Sequence, residues 1–189
     1  MRTRLGCILV LLLGCQCISA QSETNLNNGE NSLRSANLPA HVRRDIVAAI
    51  AKDFADEPKE FPSGSKIALG SWVGFVRLSQ TGAPAILVTS GPDDPNNGAT
   101  GNGEFWLFKR AGDHAVLILK GGGFDASPAK GAYHNGLLDF KSSWNMSCCD
   151  GGVEVYRFNG VRYKPSYCYS YSSDEDGKVT EGPRGRCRD

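Results

Sequence analysis

The chain has 189 residues, room for one domain with a real core, and 40% of them are hydrophobic, which suits a folded rather than a disordered protein. A formal net charge of +1 provides no overall field to draw in nucleic acid or an acidic substrate.

The first twenty residues read as a signal peptide. "MRTR" is basic, and Leu5 to Leu13 is an apolar run too short to span a bilayer. Two processing readings stay open. Ile18-Ser19-Ala20 is an acceptable cleavage site, which would start the mature chain at Gln21. Leu12-Leu13-Gly14-Cys15 resembles a bacterial lipobox, and a lipid on Cys15 is the one membrane attachment it implies. Cleavage after Ala20 removes Cys7, Cys15 and Cys17 and leaves an even set, Cys148, Cys149, Cys168 and Cys187. Lipidation instead leaves Cys17 as an odd fifth thiol. Both readings put the protein outside the cytoplasm, secreted or periplasmic in the first case and lipid-anchored at the outer membrane in the second.

Residues 21–36 are polar and read as a flexible linker. A domain is expected over 37–171 and a loose polar tail over 172–189. Asn37 can cap a helix and Pro39 suits its first turn. Val42, Ile46, Ile50 and Phe54 then recur every fourth residue with Val47 alongside, one apolar stripe, until Pro58 stops the helix. From Lys66 onward the period changes to two. Strands are expected at 66–78, 84–90, 104–110, 113–120, 135–142, 152–158 and 161–167, and their tight connections favour antiparallel pairing. The fold class is thus mainly β: an antiparallel sandwich or strongly curled sheet of about seven strands, preceded by one amphipathic α-helix.

Asn159-Gly160 predicts a two-residue type I′ hairpin, with Phe158 opposite Val161 and Tyr156 opposite Tyr163 on an apolar face. The other face sets Arg157 opposite Arg162, with Lys164 beyond, so it should be wet or meet an anion. Pro165 makes the second strand an edge strand, or ends it. Tyr167, Tyr169 and Tyr171 follow at spacing two on one face, and with Arg157, Arg162 and Lys164 they form the best candidate partner surface.

Three segments together resemble a known group: "FVRLSQTGAPAILVTSG" (75–91), "GATGNGEFWLFKR" (98–110) and "GVEVYRFNGVRYKPSYCY" (152–169). The first resembles the strand, D-x-N-x-D-G loop and hydrophobic strand of FG-GAP and VCBS-like repeats, and of secreted bacterial β-domains that carry a single such motif. In those units the loop looks like a calcium site. Here Arg77, Ser79 and Thr81 take the ligand positions, Gly82 matches the glycine and Ala85 takes a frequent acidic position. The resemblance therefore implies a degenerate motif that keeps its turn and has lost its ion. No internal repeat is present, which argues against a propeller.

Other candidate chemistry is thin. Asp93, Asp94, Asn96 and Asn97 offer oxygen ligands, but long surface loops use the same residue types. Gly121-Gly122-Gly123 fits no phosphate-binding motif and reads as a turn. His41 reads as a solvated residue, and neither His114 nor His134 has a spaced partner that would suggest zinc. A hydrolase of Cys149, His134 and Asp139 is conceivable only with a reduced thiolate in an oxidising compartment. Neighbouring cysteines in a strand point to opposite faces, so Cys148 and Cys149 are each expected to reach for Cys168 or Cys187, and no C-x-x-C is present. Asn145-Met146-Ser147 is a glycosylation sequon that matters only in a eukaryotic host.

The function this favours is non-catalytic binding of an envelope protein or glycan, with no cofactor, no metal and no nucleic acid. The alternative is an inhibitor of a secreted hydrolase such as a lysozyme, acting through a protruding loop at 91–103. An unrecognised hydrolase is the third reading.

Overall fold

The computed structural model describes residues 31–187, except 59–60, 93, 98–100 and 175. The expected signal peptide, the lipobox cysteine and most of the expected linker lie outside the described residues. The described chain is mainly β, as expected. A first sheet runs β1 (Asn31–Ser32), β2 (Trp72–Val76), β3 (Ala85–Thr89), β4 (Gly103–Ala111) and β5 (His114–Gly123), in that spatial order. A second holds β6 (Asp125–His134), β7 (Leu137–Asn145), β8 (Asp150–Phe158), β9 (Tyr163–Ser173) and β10 (Val179–Glu181), again in chain order. Every pairing between named strands is antiparallel.

The expected helix forms as α1 (Ala40–Asp53) and buries Val42, Ile46 and Ile50. Its ends differ from expectation. Pro39, extended at ψ 142, stands at the N-cap without a side-chain hydrogen bond, so Asn37 is not the cap. The helix stops at Asp53, ahead of Pro58, and Phe54 continues the apolar stripe from the cap position. A second helix, α2 (Gly64–Gly70), occupies the start of what the sequence suggests as a strand over 66–78. Ile67 and Ala68 are adjacent and both buried in the helix-side core, whereas a strand would turn them to opposite faces. The Ser71 hydroxyl donates to Ile67 O at 3.0 Å and closes this helix before β2 begins.

Three layers result. The helices and Leu33, Ala36 and Leu38 pack on Val73, Ile86, Val88, Trp106 and Phe108, one face of the first sheet. The opposite face, with Leu87, Phe105 and Leu107, packs on Phe140, Tyr156, Phe158 and Tyr163 of the second sheet. Part of the expected linker therefore belongs to the domain: Asn31 and Ser32 pair with β2, and Leu33 is fully buried.

The triple glycine is not a turn. β5 runs through it because Phe105 of the neighbouring strand lies across Gly121, where a Cβ would stand 2.6 Å from the ring. At Gly123, φ 143, the chain crosses to the second sheet, and Phe124 N bonds Ser143 O at 2.8 Å. β6 follows where no strand was expected. Its Pro128 and Gly131 hide it in the sequence, yet both are tolerated because β6 is an edge strand with an irregular register between Pro128 and Tyr133.

The hairpin expectation has the wrong address. The two-residue turn with both central residues at positive φ is Asn135-Gly136, φ 48 and 84, between β6 and β7. At Asn159-Gly160 only the glycine is left-handed. Asn159 Oδ1 accepts from the amides of Val161 and Arg162, at 3.0 and 2.9 Å, which builds a four-residue loop. Phe158 therefore pairs with Tyr163, Arg157 with Lys164 and Tyr156 with Pro165. A slip of two keeps every residue on its face, so Tyr156, Phe158 and Tyr163 still reach the core. Val161 does not, and Arg162 sits in the loop rather than opposite Arg157.

The tail is not loose. β9 extends to Ser173, β10 pairs back on it, Gly185 bridges to Cys168, and Cys187 is disulfide-bonded to Cys168. Pro165 sits where β9 has no partner beyond β8, because β10 reaches only Tyr171–Ser173. No described helix is long and apolar enough to cross a membrane.

Candidate binding face

The helix layer covers one face of the first sheet, and the second sheet covers the other. The second sheet has no third layer among the described residues, so its far face is available. Register defines that face. Val155 pairs with Tyr167, Val153 with Tyr169 and Gly151 with Tyr171. Arg157 pairs with Lys164 on the same side, because Ser166 is an extra bulged residue on β9 that preserves the phase. Lys141 and Ser143 of β7 complete the rows opposite Val155 and Val153.

Tyr167, Tyr169 and Tyr171 thus stand side by side, each half-buried, beside buried Val153 and Val155. The rings of Tyr167 and Tyr169 are 6.3 Å apart and nearly parallel at 23°. The Arg184 guanidinium lies 5.0 Å from the Tyr167 ring centre. Tyr171 donates its hydroxyl to Asn145 Oδ1 at 2.8 Å, which fixes its ring. Burial raises the Tyr169 phenol, with Glu181 adding to the effect, and burial likewise raises Tyr171. Tyr169 and Tyr171 are therefore neutral donors at physiological pH. Arg184 and Glu181 come from the segment read as a tail, and no pattern in the sequence pointed to them.

Arg157 has a carboxylate of the chain itself nearby. Its Nε is 3.9 Å from Asp139 Oδ2, and the other Asp139 oxygen is 2.7 Å from His134 Nδ1. Asp139 is nearly fully buried and His134 is partly exposed. This pair resembles the base and orienting acid of a hydrolase, but Cys149 is not beside it. Cys149 lies beyond the far end of β7, and Asp139 to Asn145 alone spans about 20 Å of strand. The Cys149–His134–Asp139 triad is therefore not assembled.

Arg162 and Lys164 also border a cleft of about 510 Å³ between β5 and the β8–β9 hairpin, with Leu117, Glu154 and Tyr156. Glu154 accepts the Tyr156 hydroxyl at 2.6 Å. Burial, and then this carboxylate, raise the Tyr156 phenol. The six proposed surface residues accordingly divide: Arg157 and the tyrosines share the outer face, Arg162 belongs to the hairpin tip, and Lys164 touches both.

The described part of the 91–103 loop folds onto itself. Asn97 receives a hydrogen bond from Ser90 Oγ at 2.7 Å and donates to Gly91 O at 2.6 Å, and Asp94 Oδ1 accepts from Asn96 N at 2.8 Å. Asp94 and Asn97 act as turn-closing groups; Asp93 lies outside the described residues. Asn102 and Asn145 exchange two hydrogen bonds at 2.9 Å and tie this loop to the second sheet. Beneath it is a cavity of about 300 Å³, lined by Trp72, Ser90, Asn97 and Glu104 among others. Lys120 joins Glu104 (3.1 Å) to Asp53 (3.3 Å), which also accepts the Trp106 indole N–H at 2.7 Å. Burial raises Glu104 and Asp94, while Glu104 and Asp53 raise Lys120 against the opposing effect of its own burial. This network joins residues from α1, β4 and β5, and the sequence held no local signal for it.

At the loop after β2, Gly82 adopts φ 97 and Ser79 Oγ donates to Thr81 O. The adjoining cavity of about 320 Å³ is bordered by Lys109 and Arg110 and by no carboxylate. The remaining histidines make surface pairs: His114 is 2.9 Å from Asp45, lowering that carboxyl, and His41 is 4.0 Å from Asp113.

The cysteines pair differently from expectation. Cys168 bonds Cys187, so neither is left for Cys148 or Cys149, which meet each other in the β7–β8 loop at Sγ–Sγ 3.0 Å. The argument from strand geometry failed because these two residues are not in a strand. A structural disulfide persists in an oxidising compartment, which fits a protein that works outside the cytoplasm. In comparisons with known proteins, no family model, no curated protein and no solved structure matches this chain.

Proposed function

We propose that this chain is a non-catalytic binding protein of the cell envelope that holds a glycan against the tyrosine row of β9. The observation that carries the proposal is the set of three half-buried tyrosines, side by side on a sheet face that no third layer covers among the described residues. Ring faces stack on the apolar faces of sugars, while hydroxyls and guanidiniums satisfy the sugar hydroxyls. Arg157, Lys141 and Arg184 surround the row, and the raised phenols of Tyr169 and Tyr171 keep their protons. Cys149 stands away from the His134–Asp139 pair, so the one catalytic triad suggested by the sequence draws no support. The inhibitor reading draws less support, since the described part of the 91–103 loop is bonded to itself. Export through the basic and apolar N-terminus belongs to the same proposal, and lipid on Cys15 is its membrane-anchored form.

The test is retention on purified peptidoglycan and on insoluble β-linked polysaccharides. Wild-type chain should be retained, and Tyr169→Ala should weaken retention at least tenfold with its circular dichroism and melting temperature unchanged. Absence of wild-type retention on every polysaccharide, or equal retention of the variant, would overturn the proposal.

A further inference from the structure

The β7–β8 loop carries a second, independent feature. Cys148 and Cys149 are both exposed and neither is in a disulfide. Their sulfurs stand 3.0 Å apart, closer than two non-bonded atoms of that size ordinarily rest. The loop around them is held from several sides. Ser147 Oγ accepts from the amides of Cys149 and Asp150, at 3.2 and 3.1 Å, and donates to the Asp150 carboxylate. The Cys149 carbonyl accepts from both the amide and the hydroxyl of Ser173, at 2.7 and 3.2 Å. Adjacent cysteines in extended chain would diverge; here the loop turns both side chains to one side. No third metal-binding side chain joins them: the one described cluster with metal-ligand spacing is elsewhere, at Glu154, Cys168 and Cys187. The pair is therefore arranged for sulfur–sulfur chemistry rather than for an ion.

We propose that Cys148 and Cys149 form a reversible vicinal disulfide by exchange with a low-molecular-weight or protein disulfide of the oxidising compartment. The thiolate of Cys148 attacks one sulfur of the incoming disulfide R–S–S–R, forming a mixed disulfide and releasing R–S⁻. Cys149 then loses its proton to solvent and attacks the Cys148 sulfur. The ring closes and the second R–S⁻ departs. The protein dithiol gives up two electrons, and the incoming disulfide becomes two thiols. The two sulfurs are within hydrogen-bond reach and either can be the donor, so the same exchange also runs with Cys149 attacking first. Reduction reverses both steps.

The tryptic peptide 142–157 contains both residues and no other cysteine, so it reports on them within the full chain. The chain is reduced briefly and incubated with oxidised glutathione. Remaining thiols are then blocked with a maleimide, and the peptide is weighed without further reduction. The expected peptide is two hydrogens lighter than the dithiol and carries neither maleimide nor glutathione. Renewed reduction should restore two maleimide sites. Cys149→Ser should instead trap a glutathione adduct on Cys148, because the closing nucleophile is gone. A wild-type peptide with two maleimides, with lasting glutathione, or cross-linked to the Cys168 or Cys187 peptide would overturn the proposal. If the serine variant fails to fold, the wild-type mapping still decides.

Discussion

The two sheets hold together by different means. In the first, all five residues of β3 are buried, with helices on one side and the second sheet on the other. In the second, Tyr163 is the one buried residue of β9, one face carries no third layer among the described residues, and a disulfide secures the outer margin. The first sheet is stabilised chiefly by apolar burial, roughly 25 cal/mol per Å² removed from water. The second has less apolar contact to draw on, and a covalent bond closes its edge. Apolar burial on both faces leaves no room for a ligand; a face covered on one side only does. The candidate surface accordingly lies on the sheet that packing stabilises less.

This contrast can be broken from either side. The largest effect should come from Trp106→Ala, which removes a fully buried ring and the hydrogen bond to Asp53. A loss of about 3–5 kcal/mol is expected, read as a shift in the urea midpoint. Next comes the double replacement of Cys168 and Cys187 by alanine. The bridge spans 19 residues, and the chain-entropy argument gives about 3 kcal/mol for a loop of that size. Near-ultraviolet dichroism should show the tyrosine signals of β9 loosening before the Trp106 environment changes. If both signals moved together, the two sheets would not differ in the way described.

The smallest effect concerns pH. Burial raises the Asp94 and Glu104 carboxyls above their ordinary range. The folded chain then holds protons that the unfolded chain has already released. Stability is greatest at or below the ordinary carboxylate range as far as these groups are concerned, and it is lost as pH rises through the raised values. Asp45, lowered by His114, acts in the opposite sense at lower pH, its contribution being lost as pH falls. Urea midpoints should therefore rise from neutral to mildly acid pH, and Asp94→Asn should flatten that rise.

What could be read from the sequence depended on the range of the interaction. The four-residue spacing of Val42, Ile46, Ile50 and Phe54 is a local period, and the helix is there with that stripe buried. Strands with β-branched or aromatic alternation, such as β3, β4 and β8, were legible for the same reason. β6 was not, because Pro128 and Gly131 are acceptable only on an edge, and edge position is a property of the whole sheet. Gly121 was read as a turn because the ring lying across it belongs to another strand. Between Asn135-Gly136 and Asn159-Gly160, the tight turn falls to the first because the Asn159 side chain binds two amides and lengthens its own loop. Of the candidate face, the spacing of Tyr167, Tyr169 and Tyr171 was visible, while Ser166, the bulge that puts Arg157 and Lys164 beside them, was not.

Within each sheet every strand pairs with its neighbour in the chain, and the crossing between sheets, from β5 to β6, takes a single residue, Phe124. Closing a short loop costs little entropy, so each sheet can zip from hairpin to hairpin without waiting for distant partners. Docking one zipped half on the other, the packing of the helix layer on the first sheet and the return of β1 to β2 are then the steps that join remote parts of the polypeptide.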